Sequence, residues 1–194
     1  MIEQFGLESV DYSLLPNPHM LHRRGIVFAH RDLNLILDAH SSSKPFGVLT
    51  GLMPSGRMHL GHKMVVDQVK WFQEQGGDVS IAVADLEALA TRGVPLDECR
   101  RIALGEYVAN YAALGLDVEN TQVYFQSSRP VVQRLGFMLG KRTNLSEFEA
   151  IYGFAGDTNL AHVQAPLVQA GDILHPQLEE YGGLRPVVVP VGID

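Results

Sequence analysis

His59-Leu60-Gly61-His62 sets two imidazoles three residues apart, so on a helix both project to one side of a single turn. They follow Gly51-Leu52-Met53-Pro54-Ser55-Gly56, a loop-forming stretch behind the apolar run Gly47-Val48-Leu49-Thr50. A strand that gives way to a helix offers free backbone N–H groups and the positive end of the helix dipole, and phosphate binds at such a place. Two imidazoles there can donate hydrogen bonds to phosphoryl oxygens. Gly51 and Gly56 permit a tight turn and close backbone approach. Gly61 leaves the first turn bare, where a flat purine could lie. On the residues alone, two other readings stay open. The histidines could be a surface pair at a helix start. They could be half of a zinc site, though no third and fourth ligand follows at a sensible spacing.

A second set of polar residues lies further along. Asp85 and Glu87 follow the apolar run Val79–Val83, at what should be a strand's carboxyl end. Gln169 and Asp172 are three apart on a mostly apolar helix, where a polar pair is costly to bury unless partnered. Plainer roles stand beside these: Asp85 as a cap for the next helix, Glu87 solvated, Asp172 paired locally. Glu98–Arg101 and Glu147–Glu149 read as solvated helix faces. Cys99 reads as a packed small residue, with no histidine near it in the pattern.

The elements that must position these groups follow an α/β rhythm. Residues 1–25 read as an irregular, partly mobile arm, and Gly25–His30 as a short strand. Asp32 should cap a helix over Leu33–Ala39. Strands are expected at Gly47–Gly51, Val79–Val83, Val123–Phe125 and Val187–Val191. Between them fall helices over Leu60–Gln75, with Leu60, Met64, Val65, Val69 and Phe72 inward; from Pro95 to Leu114; and over Val131–Leu139. Asn144 with Glu147 resembles a capping box for a helix over 145–152. A last helix spans roughly Asn159–Leu174, with Leu160, Val163, Leu167, Ala170 and Leu174 inward and a kink expected at Pro166. Alternating strands and helices imply a parallel sheet covered on both faces, with ligands beyond the carboxyl ends of the strands. The organisation expected is an N-terminal arm with a short hairpin and helix over 1–45, then a Rossmann-like domain over 46–194.

Composition limits the function classes. The chain has 194 residues, 46% of them apolar, enough for a real core. Its net charge of −7 argues against a protein that coats nucleic acid, without excluding a local RNA contact. One cysteine excludes an intrachain disulfide. The first residues show no signal peptide, and the longest apolar runs are strand-sized, so the expectation is a soluble, cytoplasmic protein with no membrane partner.

His59-Leu60-Gly61-His62 resembles the "HIGH" signature of class I aminoacyl-tRNA synthetases, and Gly51–Gly56 is similar to the loop of their tryptophan and tyrosine members. Pro190-Val191-Gly192-Ile193-Asp194 resembles the start of the "GxDQ" motif of the same enzymes. Arg23–Asp32, Lys44-Pro45-Phe46 and Ala150-Ile151-Tyr152-Gly153-Phe154 resemble segments of the archaeal and eukaryotic tryptophanyl-tRNA synthetase family. The match runs from about residue 20 to the end of the chain.

The resemblance implies a Rossmann-like, HUP-type α/β fold and formation of an aminoacyl-adenylate from tryptophan and ATP with Mg²⁺, then transfer to tRNA(Trp). It implies that His59 and His62 are the catalytic pair. Gly51, Pro54, His59, Gly61, His62, Gly192 and Asp194 would bind ATP, with Asp194 on the ribose. Leu49, Glu87, Gln169 and Asp172 would face the amino acid: Glu87 and Gln169 the ammonium group, Asp172 the indole N–H. It implies a homodimer. It also implies a "KMSKS" loop after Asp194, so a chain ending there should be weak or inactive alone. Two departures bear on substrate: Leu49 stands where tyrosine enzymes and the eukaryotic branch carry a Tyr, and Leu52 where the eukaryotic loop has an Arg. The alternatives are a tyrosyl-tRNA synthetase relative, a small nucleotidylyltransferase, and a non-catalytic fragment that binds ATP or tryptophan.

Overall fold

Gly47–Leu52 and Asp78–Val83 are short, nearly continuous apolar runs of the kind buried on both faces of a parallel sheet. The computed structural model, which describes residues 2–192, pairs them in that way. Ahead of them come β1 (Glu8–Ser9), α1 (Met20–Arg23), β2 (Ala29–His30) and α2 (Leu33–Ser41). The runs themselves are β3 (Gly47–Leu52) and β4 (Asp78–Val83), separated by α3 (Leu60–Glu74). Then follow α4 (Asp85–Arg92), α5 (Leu96–Ile102), α6 (Ala109–Ala113), β5 (Thr121–Phe125), α7 (Pro130–Gly140), α8 (Leu145–Tyr152), α9 (Leu160–Leu174) and β6 (Val187–Val188).

The four-stranded sheet has the order β5-β4-β3-β6, every pair parallel. Register runs from Gly47 opposite Asp78 to Leu52 opposite Val83. Successive strands step to one side of β3, and β6 then returns to the other. The β3–β6 border is therefore the topological switch point, the place where such sheets leave a crevice for ligands. β6 is shorter than the expected Val187–Val191, and Pro190, which has no N–H for a ladder, follows it closely. Side chains alternate across β3: Val48 enters one core with Val69, Trp71, Phe72, Ile81 and Tyr107, and Leu49 enters a second with Ala82, Tyr124, Val131 and Val132. Helices cover both faces.

Several expectations are corrected. Leu60 is 73% exposed, and the buried positions of α3 begin at Val66, because the first turn projects past the sheet's carboxyl edge. Asp32 has a left-handed backbone (φ 57°) and makes no capping bond; His30 Nδ1 accepts from Leu33 N instead, at 3.3 Å. Leu160 and Leu174 lie outward on α9, while Gly171 and Asp172 are its buried residues. The described part of the N-terminal arm is docked rather than loose: Val10 and Leu15 join the first core, and Trp71 Nε1 donates to Asn17 O at 3.0 Å. The capping box at Asn144 forms as expected, with Glu147 N on Asn144 Oδ1 and Asn144 N on Glu147 Oε2, both at 3.0 Å.

The helix expected from Pro95 to Leu114 contains a wide, π-helical turn at Ala103–Val108. Its buried residues are Cys99, Ala103, Tyr107 and Tyr111, four apart at every step. An α-helix with 3.6 residues per turn would rotate such a series by roughly 40° per step and carry it off its face. The wider turn takes up that drift and keeps all four against the sheet. Among the described residues no helix is long and apolar enough to cross a membrane.

Candidate active site

At the carboxyl end of β3, Pro54 is fully buried, while Gly51 is exposed with open space where a side chain would stand. His59 is the N-cap residue of α3 in extended conformation, and the first helical bond, Lys63 N to His59 O, closes at 3.2 Å. A helix gives its first-turn N–H groups no partner of its own, and here a capping box turns back on that end, with the His59 side chain facing the His62 backbone N–H. His59 N donates to His62 Nδ1 at 3.3 Å. A neutral His62 that accepts at Nδ1 carries its proton on Nε2, the nitrogen able to donate to an anion. The two rings lie 3.9 Å apart, centroid to centroid, tilted by 46°. A Cβ on Gly61 would come within 3.1 Å of the exposed His59 ring, which would have to shift to admit it. The space expected to receive a purine is thus partly taken by that ring.

The second group of polar residues assembles beyond β4 and β5. Asp85 is buried and binds the end of β5: its Oδ1 accepts from Ser127 N and Leu86 N, each at 3.0 Å, and its Oδ2 from Ser127 Oγ. Its role is to tie α4 to the strand beside it. Glu87, one turn start later, is half-buried, and burial raises its pKa against the opposing pull of His162 and Arg92. Asp172 is 4% exposed. Tyr124 Oη donates to its Oδ1 at 2.7 Å and Gln126 Nε2 to its Oδ2 at 2.6 Å. Burial pushes its pKa up to about 6, the carboxylates of Glu87 and Asp85 add to the rise, and the two donors oppose it. Three carboxyl groups therefore share one low-dielectric region, which favours a cation among them. Leu49 lies in the core on this side, in the same cluster as Tyr124.

Gln169 does not join this group: it is exposed, one turn before Asp172 on α9. Gly192 is exposed beyond β6, and Asp194 lies outside the described residues. Among the described residues no three His, Cys, Asp or Glu side chains gather in a way that could hold a metal ion.

Reading the sequence missed Tyr124 and Gln126. Tyr124 lies on β5 and Gln126 opens the short turn just past the strand's end, two residues on, and that spacing at a strand's carboxyl end was the available signal. It also missed why Asp172 reaches them. A Cβ on Gly171 would fall 2.2 Å from Val132 O, and one on Gly136 2.8 Å from Leu167 O. Glycines let α7 and α9 meet backbone to backbone, which sinks Asp172 toward the sheet. His175, fully buried, donates from Nδ1 to Asp172 O at 2.9 Å and packs edge-on against Tyr124 and Tyr181. Burial holds its pKa down, so it stays neutral.

Residues 41–194 match the family model described as tRNA synthetases class I (W and Y). The tryptophan–tRNA ligase of Methanocaldococcus jannaschii is 50% identical over 197 residues, a match covering all of this chain and 53% of that protein. The tryptophan–tRNA ligase of Methanosarcina acetivorans is 47% identical over 196 residues, covering all of this chain and 45% of that protein. Among solved structures, the tryptophanyl-tRNA synthetase of Aeropyrum pernix superposes with a TM-score of 0.92 at 45% identity, covering 99% of this chain and 53% of that one. The Encephalitozoon cuniculi enzyme, solved bound to tryptophan, superposes with a TM-score of 0.84 at 26% identity, covering 97% and 58%. The chain spans about half the length of the curated relatives it matches.

Proposed function

The chain belongs to the class I tRNA synthetases of the W and Y group, and on that premise we propose that it forms tryptophanyl-adenylate from tryptophan and ATP, as the activating part of a tryptophan–tRNA ligase. The observation that carries this reading is Asp172, a buried carboxylate oriented by Tyr124 and Gln126 beyond the same sheet edge as the His59–His62 helix start. Each carboxylate oxygen has a second lone pair, so Asp172 can accept an indole N–H in addition to its present partners. Leu49 supports tryptophan over tyrosine, since it cannot hydrogen-bond a phenol. Glu87, with Asp85 and Asp172 behind it, supplies negative potential for the substrate ammonium. Gln169 would join only by turning inward.

The amino acid's carboxylate is the nucleophile, so no general base is needed. The residues act by positioning and by offsetting charge on the phosphoryl oxygens. His62 Nε2–H and the α3 N-terminus serve that charge, with His59 beside them. Gly51 and Pro54 shape the loop under ATP, Gly192 and, once the His59 ring turns aside, Gly61 leave room for adenosine, and Asp194 holds the ribose. Mg²⁺ enters on the ATP phosphates as part of the substrate. Acceptance of the aminoacyl group by tRNA(Trp), a cytoplasmic setting and the division at residue 45 belong to the same proposal. So does a homodimer, supported by exposed Phe137, Met138, Leu145, Ile151 and Leu160 on α7, α8 and α9. Calorimetry with tryptophan, tyrosine and Mg·ATP tests the reading. Tryptophan should bind at least about tenfold tighter than tyrosine; equal or inverted affinities would sink the assignment.

A further inference from the structure

We propose that Glu106 and Tyr107, carried on the π-helical turn of residues 103–108, are positioning residues that hold the His59–His62 helix start in its phosphate-receiving shape, a role that rests on the adenylate-forming reading above. The turn touches the motif on both sides. Glu106 Oε1 accepts from Met58 N at 3.2 Å, fixing the residue just before His59. Tyr107, 1% exposed, presents its ring edge-on to His62 at 5.4 Å and 86°. His62 in turn stacks under His59 and accepts from its backbone N–H. The line of contact therefore runs from buried Tyr107 on the π turn through His62 to His59.

The His59 ring is exposed, and the aromatic contact it makes is with His62, at 3.9 Å between centroids. The rigidity comes from below. A regular α-helix over 96–113 would rotate the second half of the series Cys99, Ala103, Tyr107 and Tyr111 off the sheet and withdraw the Tyr107 ring from His62. π turns inside α-helices persist where function requires a side chain in a particular place. Glu106 and Tyr107 themselves contact no reacting atom under this scheme.

The test uses the whole chain and two pairs of variants. Glu106→Gln and Tyr107→Phe keep the acceptor oxygen and the ring; Glu106→Ala and Tyr107→Leu remove them. The chain has eight histidines, and the imidazole carbon–proton resonances of His59 and His62 are assigned by their loss in His59→Gln and His62→Gln. In Glu106→Ala and Tyr107→Leu these two resonances should move while His40, His162 and His175 stay. Mg·ATP affinity should fall about tenfold, with tryptophan affinity unchanged. The conservative pair should leave both readouts in place. Unmoved His59 and His62 resonances in folded Glu106→Ala and Tyr107→Leu overturn the proposal. If Tyr107→Leu does not fold, Glu106→Ala decides alone. If the unaltered chain binds neither tryptophan nor Mg·ATP, the adenylate-forming reading fails, and the histidine resonances then decide the positioning role by themselves.

Discussion

The two ends of the candidate site are built on opposite plans. The phosphate end, at the start of α3, is exposed, rich in glycine, and made chiefly from consecutive residues and backbone N–H groups. The side-chain end, around Asp172, is buried and made from β5, α9 and the short turn after α9, with its carboxylate tied on both oxygens. Charge that develops during a reaction is met by donors already aimed at it. Selection between similar side chains is better done by a buried polar group that loses a partner when the wrong substrate arrives. The first needs a local motif; the second needs the whole fold.

The sharpest break of that contrast is at His62. As His62→Ala, the chain loses the Nε2–H donor and the ring that links Tyr107 to His59. Adenylate formation, read as tryptophan-dependent ATP–pyrophosphate exchange, should fall by roughly a hundredfold or more, in line with loss of one preorganised donor. Tryptophan affinity should hold. A fall in both together would mean that the two ends are not separable.

Next in size is Asp172→Ala. It removes the acceptor for the indole N–H and leaves Tyr124 Oη and Gln126 Nε2 without their shared partner. Hydrogen bonds to charged groups contribute about 1.5–3 kcal/mol, so tryptophan should bind roughly ten- to a hundredfold more weakly. An analogue with carbon or sulfur for the ring nitrogen should bind the unaltered chain about as poorly. Binding of that analogue with full affinity would remove Asp172 from indole recognition.

Legibility in the sequence divides along the same line. The His59–His62 motif, the strands β3 to β5 and the capping box at Asn144 depend on neighbours a few residues away, and local pattern exposes them. Tyr124 looks like an ordinary strand residue and Gln126 like an ordinary turn residue until α9 arrives from nearly fifty positions later. Gln169 and Asp172 read as one polar pair because three residues on a helix share a side. The glycine contacts with α7 turn the helix so that only Asp172 is buried. Gly136 and Gly171, unusual inside helices, were the visible trace of that packing. The π turn was hidden because Pro95 and Gly115 mark only the helix ends; its trace is the four-residue spacing of Cys99, Ala103, Tyr107 and Tyr111.

Gly171→Ala tests the packing directly. The added Cβ meets the Val132 carbonyl oxygen at 2.2 Å, a backbone atom that cannot rotate away, so α7 and α9 must separate. Overpacking of this kind costs about 1–3 kcal/mol, visible as a lower urea midpoint. Tryptophan affinity should drop as well, since Asp172 lifts from Tyr124 and Gln126, while Mg·ATP affinity should not. An Ala variant as stable as the parent would mean that the helices already have slack.

The smallest expected effect is Tyr124→Phe, and its size depends on pH. Asp172 has its pKa raised to about 6, so whatever stability its protonated form supplies is complete below the ordinary carboxylate range and is lost as pH rises through about 6. The Tyr124 hydroxyl opposes that loss, because it donates to the ionised carboxylate more strongly than to the neutral acid. Without it, the midpoint of Asp172 should move upward. The variant should therefore be destabilised by about 1 kcal/mol or slightly more at pH 7.5 and by less at pH 4.5. Urea unfolding at the two pH values measures both differences. Equal destabilisation at the two would show that Asp172 does not change charge between them, and that the Tyr124 hydroxyl matters only as a packed polar group.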